Sequence, residues 1–99
     1  MELPIQVNRD EIAVFCVRHH ITRLSFFGSV LREDFGPESD VDVLVEFDRQ
    51  HIPTLIDMYD MEEELTAMFG HKVDLRTPKE LSRYFRDKVL QTALVQYAA

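Results

Sequence analysis

Two aspartates separated by one residue begin the apolar segment DVDVLVEF, residues 40–47. Alternate side chains of a strand point to the same face, so Asp40 and Asp42 would lie on one face with their Cα atoms about 7 Å apart. Neighbouring carboxylates repel each other unless a cation lies between them. The pair therefore favours a divalent metal site, and two Mg²⁺ ions about 3.5–4 Å apart are an arrangement used for displacement at phosphorus.

A third acid and a glycine-serine turn add to this pattern. Asp74 lies between Val73 and Leu75, which are expected to face the core, and it would join the pair if the two strands were adjacent. Gly28 and Ser29 precede Asp40 by ten intervening residues. Glycine lets the backbone approach a phosphate closely, and serine offers a hydroxyl and an N–H to an anion.

Each of these signals is weak when taken alone. An acidic pair near a sheet edge can be solvated or can prevent aggregation, and a glycine-serine dipeptide is a common turn. An EF-hand loop is disfavoured, because the segment after the acids is a hydrophobic strand without the further oxygen ligands of such a loop. Four histidines lack metal-ligand spacing and are not expected to bind a metal: His19, His20, His51 and His71.

Composition limits the possible function classes. A chain of 99 residues with 45% hydrophobic residues is expected to form a single domain over residues 1–99. Its net charge of −7 argues against stable nucleic-acid binding, although residues 76–88 are basic. One cysteine, no signal-peptide pattern and no apolar run of about 20 residues indicate a soluble, cytoplasmic protein without membrane contact.

Helix and strand signals alternate along the chain. They predict an α/β (α+β) domain in which helices pack against a small mixed β-sheet. The predicted elements are a helix over 8–19, a strand over 21–27, a turn region over 29–39 with a helical turn at 30–34, a strand over 40–47, a helix over 54–69, a strand over 71–77, a helix from 78 to about 91, and an extended segment over 94–97.

Helical spacing also predicts which side chains face the core. A separate feature of the third helix is its basic stripe, which is a candidate partner surface and consists of Lys79, Arg83, Arg86 and Lys88. One helical face is shared by Ile12, Phe15, Cys16 and His19 in the first helix, and a mostly apolar face by Leu55, Met58, Tyr59, Glu62, Leu65 and Phe69 in the second; the third helix is expected to carry Leu81, Tyr84 and Phe85 inward.

The combination of motifs is more specific than its parts. Gly28-Ser29, the Asp40-x-Asp42 pair in a hydrophobic strand and an acid in a later strand resemble the nucleotidyltransferase superfamily with a polymerase-β-like palm fold. More narrowly, residues 20–97 resemble a minimal nucleotidyltransferase of the MNT (MntA-like) kind. The segments that carry the resemblance are GSVLRED, SDVDVLVEF, DMYDMEEELTAMFG, HKVDLRTPKEL and VLQTALVQY.

The resemblance implies a role for each matching residue. Asp40 and Asp42 would bind Mg²⁺, as two ions in the family's arrangement, and Asp74 would share one ion and accept the proton of the attacking hydroxyl. The reaction would be attack on the α-phosphorus of ATP, with pyrophosphate as the leaving group. Gly28 and Ser29 would hold the β- and γ-phosphates, and Arg32 would help to neutralise their charge.

Small proteins of this kind are similar to the antitoxin of HEPN/MNT toxin–antitoxin pairs. The resemblance implies a hetero-oligomer with a HEPN ribonuclease toxin, in which AMP is transferred from ATP to a tyrosine hydroxyl of the partner. Two alternatives stay open. The chain could neutralise its partner by complex formation without catalysis, or it could act on a small molecule or an RNA end, because one fold supports several activities.

Overall fold

The order of helices and strands in the structure agrees closely with the order predicted from the amino-acid sequence. A computed structural model describes residues 3–99. Its elements are α1 (Arg9–Arg18), β1 (Ile21–Phe27), a 3₁₀ turn (Gly28–Leu31), β2 (Val41–Phe47), α2 (Leu55–Phe69), β3 (Val73–Arg76), a second 3₁₀ turn (Pro78–Glu80), α3 (Arg83–Thr92) and β4 (Leu94–Ala98).

The four strands form one mixed sheet in the order β3-β2-β1-β4, as the predicted fold class requires. β1 pairs antiparallel with both β2 and β4, whereas β2 pairs parallel with β3. A parallel pair needs a crossover connection, and α2 supplies it. Because β1 ends where β2 begins, the turn after β1 and the first residues of β2 and β3 lie at the same end of the sheet.

The core lies between one face of the sheet and the helices α1 and α2. Val41, Val43 and Val45 alternate along β2 and are fully buried. Phe26 of β1 meets Phe69 of α2 edge to face, with ring centroids 5.4 Å apart. The core also includes Ile12, Phe15, Cys16, Leu24, Met61 and Leu65. This packing fixes β2 so that the alternate side chains, including Asp42, face away from the helices.

Side-chain caps set the ends of the first two helices. The Asn8 side chain accepts a hydrogen bond from the Glu11 N–H, and Thr54 and Asp57 form a reciprocal capping box. Gly70 ends α2 in the left-handed conformation with φ +70°. Within the described residues, 3–99, there is no helix that is both long and apolar enough to cross a lipid bilayer.

The predicted third helix begins too early. Thr77 and Glu80 do form a capping box, but it closes only the 3₁₀ turn Pro78–Glu80. Leu81 is then extended and buried, and α3 starts at Arg83, where the Ser82 hydroxyl accepts from the Tyr84 N–H. The helical turn expected at 30–34 is likewise shifted, to Gly28–Leu31.

The inward-facing predictions for Tyr84 and Phe85 are wrong, and two residues of the predicted apolar face of α2 are exposed, because helical spacing marks an apolar face without showing what covers it. Tyr84 is 86% exposed and Phe85 47% exposed, and α3 buries none of its residues. On α2, Leu55 is 89% exposed and Tyr59 61% exposed. The buried side of α2 is formed instead by residues further along the helix, Met61, Leu65 and Phe69.

Candidate active site

Asp40 and Asp42 occupy the start of β2, on the sheet face opposite the helical core. Asp40 directly precedes the strand and Asp42 is its second residue. Their neighbours Val41 and Val43 are fully buried, whereas both aspartates are partly exposed. The strand pleat therefore presents both carboxylates on one face, as the alternation predicts.

Asp74 is the direct neighbour of Asp42 across the sheet. The parallel register of β2 and β3 pairs Asp42 with Asp74, and pairs Val41 with Val73. Val73 and Leu75 are buried, so Asp74 faces the same side as Asp42. The sequence predicted that Asp74 would join the acid pair if its strand lay beside β2. The two strands are adjacent, so Asp74 does join the pair.

The glycine-serine turn packs against the same acids. Gly28 has φ +74°, a conformation that other residues rarely adopt, and a Cβ atom at this position would overlap Oδ2 of Asp42. The next residue, Ser29, donates its hydroxyl to the Asp40 carbonyl at 3.4 Å. Glycine is thus required twice here, by the backbone dihedral angle and by the contact with the Asp42 carboxylate.

The acids form an electrostatically repulsive cluster. Partial burial raises the pKa of Asp42 above its ordinary value, and the nearby charges of Asp74 and Asp40 raise it further. Arg76 and Arg32 act in the opposite direction on the Asp42 pKa. The site therefore carries more negative charge than its own basic residues balance, which favours binding of a cation.

Two arginines border the cluster, and each is paired with a carboxylate. Arg76 donates its Nε to Asp74 Oδ1 at 3.0 Å and its Nη2 to Asp74 Oδ2 at 3.4 Å. Arg32, the predicted phosphate-binding residue, donates its Nε to Asp34 at 3.2 Å. Arg32 thus borders the acids and lies close enough to lower the pKa of Asp42, but its guanidinium group faces Asp34.

The chemistry of the donor set fits a hard divalent cation. Carboxylate oxygens are the ligands that Mg²⁺ prefers, and Asp40, Asp42 and Asp74 supply them from one face of the sheet. Within residues 3–99, no three His, Cys, Asp or Glu side chains already converge as a complete metal site. The ligand roles of the three aspartates remain predictions, and Asp74 would have to exchange its Arg76 contact for the ion.

His19, His20 and His51 lie away from the acids. His20 stacks on His51 with ring centroids 3.6 Å apart, whereas His19 faces Glu64, with Nε2 3.3 Å from Oε2. His20 and His51 line a cavity of about 420 Å³ that also includes Phe47, the last residue of β2. This cavity is at the opposite end of β2 from Asp42 and is therefore separate from the acid cluster.

Three residues near the acids were missed by the sequence reasoning. Arg76 follows Asp74 by two positions and hence shares its face, which was a usable signal. Glu62 accepts a hydrogen bond from the Leu75 N–H at 2.9 Å, and Thr66 accepts one from the Val73 N–H at 3.0 Å. An acid on the otherwise apolar face of α2 was the signal for Glu62, whereas nothing in the sequence marked Thr66.

Comparison with known proteins agrees with this geometry. Residues 10–95 match the family model of the nucleotidyltransferase domain. The protein adenylyltransferase MntA of Thermococcus cleftensis is 35% identical over 74 residues, which cover 75% of this chain and 73% of that protein.

Two solved structures share the fold. A proposed minimal nucleotidyltransferase is 32% identical, with a TM-score of 0.72 and coverage of 87% of this chain and 86% of the other. A chain from a complex of a tri-AMPylated Shewanella oneidensis HEPN toxin with an MNT antitoxin superposes with a TM-score of 0.66, over 92% of this chain and 70% of the other. At 16% identity, this second likeness shows the fold alone.

Proposed function

The chain belongs to the nucleotidyltransferase domain family, and we propose that it is an antitoxin that transfers AMP from ATP to a tyrosine hydroxyl of a HEPN ribonuclease toxin in the cytoplasm. The observation that carries this proposal is the pairing of Asp42 with Asp74 beside the Gly28 turn. With Asp40 on the same side of β2, the pair supports a role for three carboxylates beside a backbone turn suited to phosphate. A relative named as a protein adenylyltransferase and a fold shared with an antitoxin complex support the choice of substrate.

The proposed reaction assigns a task to each part of the site. The acceptor oxygen attacks the α-phosphorus of ATP, the bond from that phosphorus to the bridging oxygen of the β-phosphate breaks, and pyrophosphate leaves. Asp74 is the group that takes the hydroxyl proton. The backbone and hydroxyl of Ser29, with the Gly28 backbone, bind the β- and γ-phosphates, and Arg32 adds positive charge beside them.

The carboxylates also define the metal requirement. Asp40, Asp42 and Asp74 would hold Mg²⁺, as two ions by family precedent, and the bound metal would neutralise the charge of the triphosphate and of the leaving pyrophosphate. The acidity of the chain is then consistent with a nucleotide substrate, because metal ions supply the positive charge that lysine and arginine provide elsewhere. Without metal, partial burial raises the pKa of Asp42, and repulsion from Asp74 and Asp40 raises it further.

Labelled nucleotide tests this proposal directly. The chain is incubated with Mg²⁺, the protein encoded by the adjacent gene, and ATP labelled in either the α- or the γ-phosphate. Transfer of AMP places the α-label, and not the γ-label, on the partner. Asp42→Ala should abolish the transfer, whereas Asp60→Ala, at an exposed position of α2, should not. Absence of α-label, or equal labelling with Asp42→Ala, would refute the enzymatic proposal.

Neutralisation by binding alone is the second candidate. Exposed apolar side chains favour it, because patches of this kind mark protein interfaces: Ile52, Leu55, Ile56, Tyr59, Tyr84 and Phe85. Co-expression with the toxin separates the two candidates. The double variant Asp40→Ala/Asp42→Ala would retain full neutralisation if binding were sufficient, and would lose it if AMP transfer were required.

A further inference from the structure

The outer edge of β3 is bound by side chains of α2. β3 is an edge strand, so the backbone N–H groups that point away from β2 have no strand partner. The Val73 N–H donates to Thr66 Oγ1 at 3.0 Å, and the Leu75 N–H donates to Glu62 Oε2 at 2.9 Å. Both outward N–H groups that flank Asp74 are therefore satisfied by the neighbouring helix.

The spacing of these contacts follows from the two secondary structures. Glu62 and Thr66 are one helical turn apart, about 6 Å along α2, and the N–H groups of Val73 and Leu75 are two residues apart, about 6.6 Å along β3. The helix and the strand therefore match over this length. Asp74 lies between the two anchored positions, with its own side chain on the face of the acid cluster.

Charge strengthens the contact at Leu75. A carboxylate that accepts from a backbone N–H forms a shorter and stronger hydrogen bond than a neutral acceptor does. The charge of Glu62 also acts on Arg76, whose pKa is raised first by its hydrogen bond and charge interaction with Asp74 and, to a smaller extent, by Glu80 and Glu62. Glu62 thus borders both the backbone that carries Asp74 and the arginine that contacts it.

We propose that Glu62 and Thr66 are positioning residues that hold β3 against α2 and thereby keep the Asp74 carboxylate beside Asp42. This role rests on the proposed function, because it assigns them the task of aligning a catalytic carboxylate that neither residue touches. β3 has only four residues and one strand neighbour, so its register depends on the pairing with β2, on the burial of Val73 and Leu75, and on these two contacts with α2. Loss of the contacts would let β3 move relative to β2 while the buried valines retain the fold.

The chain offers a matched control for the test. Glu62→Ala and Glu63→Ala remove the same charge and the same atoms from adjacent positions of α2, but Glu63 is exposed and makes no contact with β3 among the described hydrogen bonds of residues 3–99. Glu62→Gln keeps an oxygen that accepts from Leu75. Thr66→Val removes the other acceptor with little change in shape, and Thr66→Ser keeps it.

Three measurements are made on each variant: urea denaturation to establish that the protein is folded, amide hydrogen exchange at Leu75, and the kcat and KM of AMP transfer. Glu62→Ala should speed exchange at Leu75 and lower kcat by at least about tenfold, since misplacing a reacting group by about 1 Å costs up to about 10²-fold. The KM for ATP should change by less than about threefold, because the phosphate-binding turn is on another strand. Glu63→Ala should behave as wild type, and Glu62→Gln, which keeps the acceptor oxygen but not its charge, should lie closer to wild type than to Glu62→Ala.

The outcomes separate this inference from the proposed function. If the wild type transfers AMP and folded Glu62→Ala is as active as Glu63→Ala, the positioning role is wrong and the proposed function stands. If the wild type is inactive, the proposed function fails, and cross-strand NOEs between the Asp42 and Asp74 backbones decide whether Glu62 holds β3. Should Glu62→Ala not fold, Thr66→Val against Thr66→Ser provides the same comparison.

Discussion

Asp42 and Asp74 are paired residues on two parallel strands. The residues on both sides of each aspartate are buried in the core. The two aspartates are 32 positions apart in the sequence, and α2 with its flanking loops connects them. Their proximity therefore depends on the crossover connection. A change that shifts β3 by one residue would turn Asp74 to the opposite face and separate the acids.

Replacement of Gly28 by alanine should inactivate the protein. The new Cβ would overlap Oδ2 of Asp42 and displace that carboxylate. We expect AMP transfer to fall by about 10²-fold or more, as for a reacting group misplaced by about 1 Å. Steady-state kinetics of the folded variant measures the effect.

Gly70→Ala is the matched control for backbone strain. Gly70 has φ +70°, nearly the same as Gly28, but a Cβ there would meet no atom within 4 Å. Both variants should lose about 1 kcal/mol of stability from the left-handed conformation, whereas only Gly28→Ala should lose activity. Equal activity of the two variants would show that the contact of Gly28 with Asp42 has no catalytic importance.

Asp42→Asn should stabilise the metal-free protein at neutral pH. Because the pKa of Asp42 is raised in the folded state, the folded protein binds more protons than the unfolded chain between the ordinary aspartate pKa, about 4, and the raised value. The free energy of unfolding therefore falls as pH rises through this window. Asparagine removes that loss, so the gain in stability should be present at pH 7 and disappear below about pH 4.

Asp57→Asn should have the opposite effect and destabilise the protein at neutral pH. The backbone N–H and the hydroxyl of Thr54 lower the pKa of Asp57, so its contribution to stability is present at neutral pH and is lost as pH falls through the lowered value. Urea denaturation of Asp42→Asn and Asp57→Asn at several pH values, in the presence of EDTA, checks both signs. A stabilised Asp57→Asn or a destabilised Asp42→Asn at neutral pH would contradict the electrostatic interpretation.

Cys16 should be unreactive in the folded protein. Its side chain is fully buried, and burial raises the pKa of the thiol to about 12. The nucleophilic thiolate is therefore almost absent at pH 8. Iodoacetamide should label Cys16 only in denaturant, as measured by mass spectrometry. Rapid labelling of the native protein would mean that α1 opens readily.

Tyr84→Ser should leave the free energy of unfolding within about 0.5 kcal/mol of wild type, as for other exposed positions. The ring of Tyr84 is almost fully exposed on α3, and its close contact is with the guanidinium group of Arg83. Phe15→Ala is the contrasting variant, because Phe15 is buried in the core and its truncation should cost about 3–5 kcal/mol. A large loss with Tyr84→Ser would indicate that α3 packs more tightly than its exposure implies.

The amino-acid sequence alone was sufficient to predict the helices and strands that are defined by periodicity and by capping residues. Alternation located β2 and put Asp40 and Asp42 on one face, and Thr54 and Gly70 marked the ends of α2. It could not establish that β3 lies beside β2, because strand order depends on packing between distant segments. Asp74 could therefore be assigned to the acid cluster only conditionally, or through the family resemblance.

Helical spacing failed where an apolar face is not covered by the rest of this chain. Leu55 and Tyr84 fall on helical faces that read as core, yet both are exposed. The start of α3 was misplaced because two capping signals follow each other, at Thr77 and Ser82, and the first closes only a 3₁₀ turn. Local propensity does not decide which of two successive caps begins the longer helix.

Mass spectrometry of the partner protein after incubation with ATP and Mg²⁺ is the most direct test of the proposed active site. Four forms of the chain are compared: wild type, Asp42→Asn, Asp74→Asn and the exposed control Asp60→Asn. We expect an AMP adduct on a partner tyrosine with wild type and Asp60→Asn, and none with Asp42→Asn or Asp74→Asn. Equal adduct formation by Asp74→Asn and wild type would contradict the assignment of the paired carboxylates as the catalytic centre.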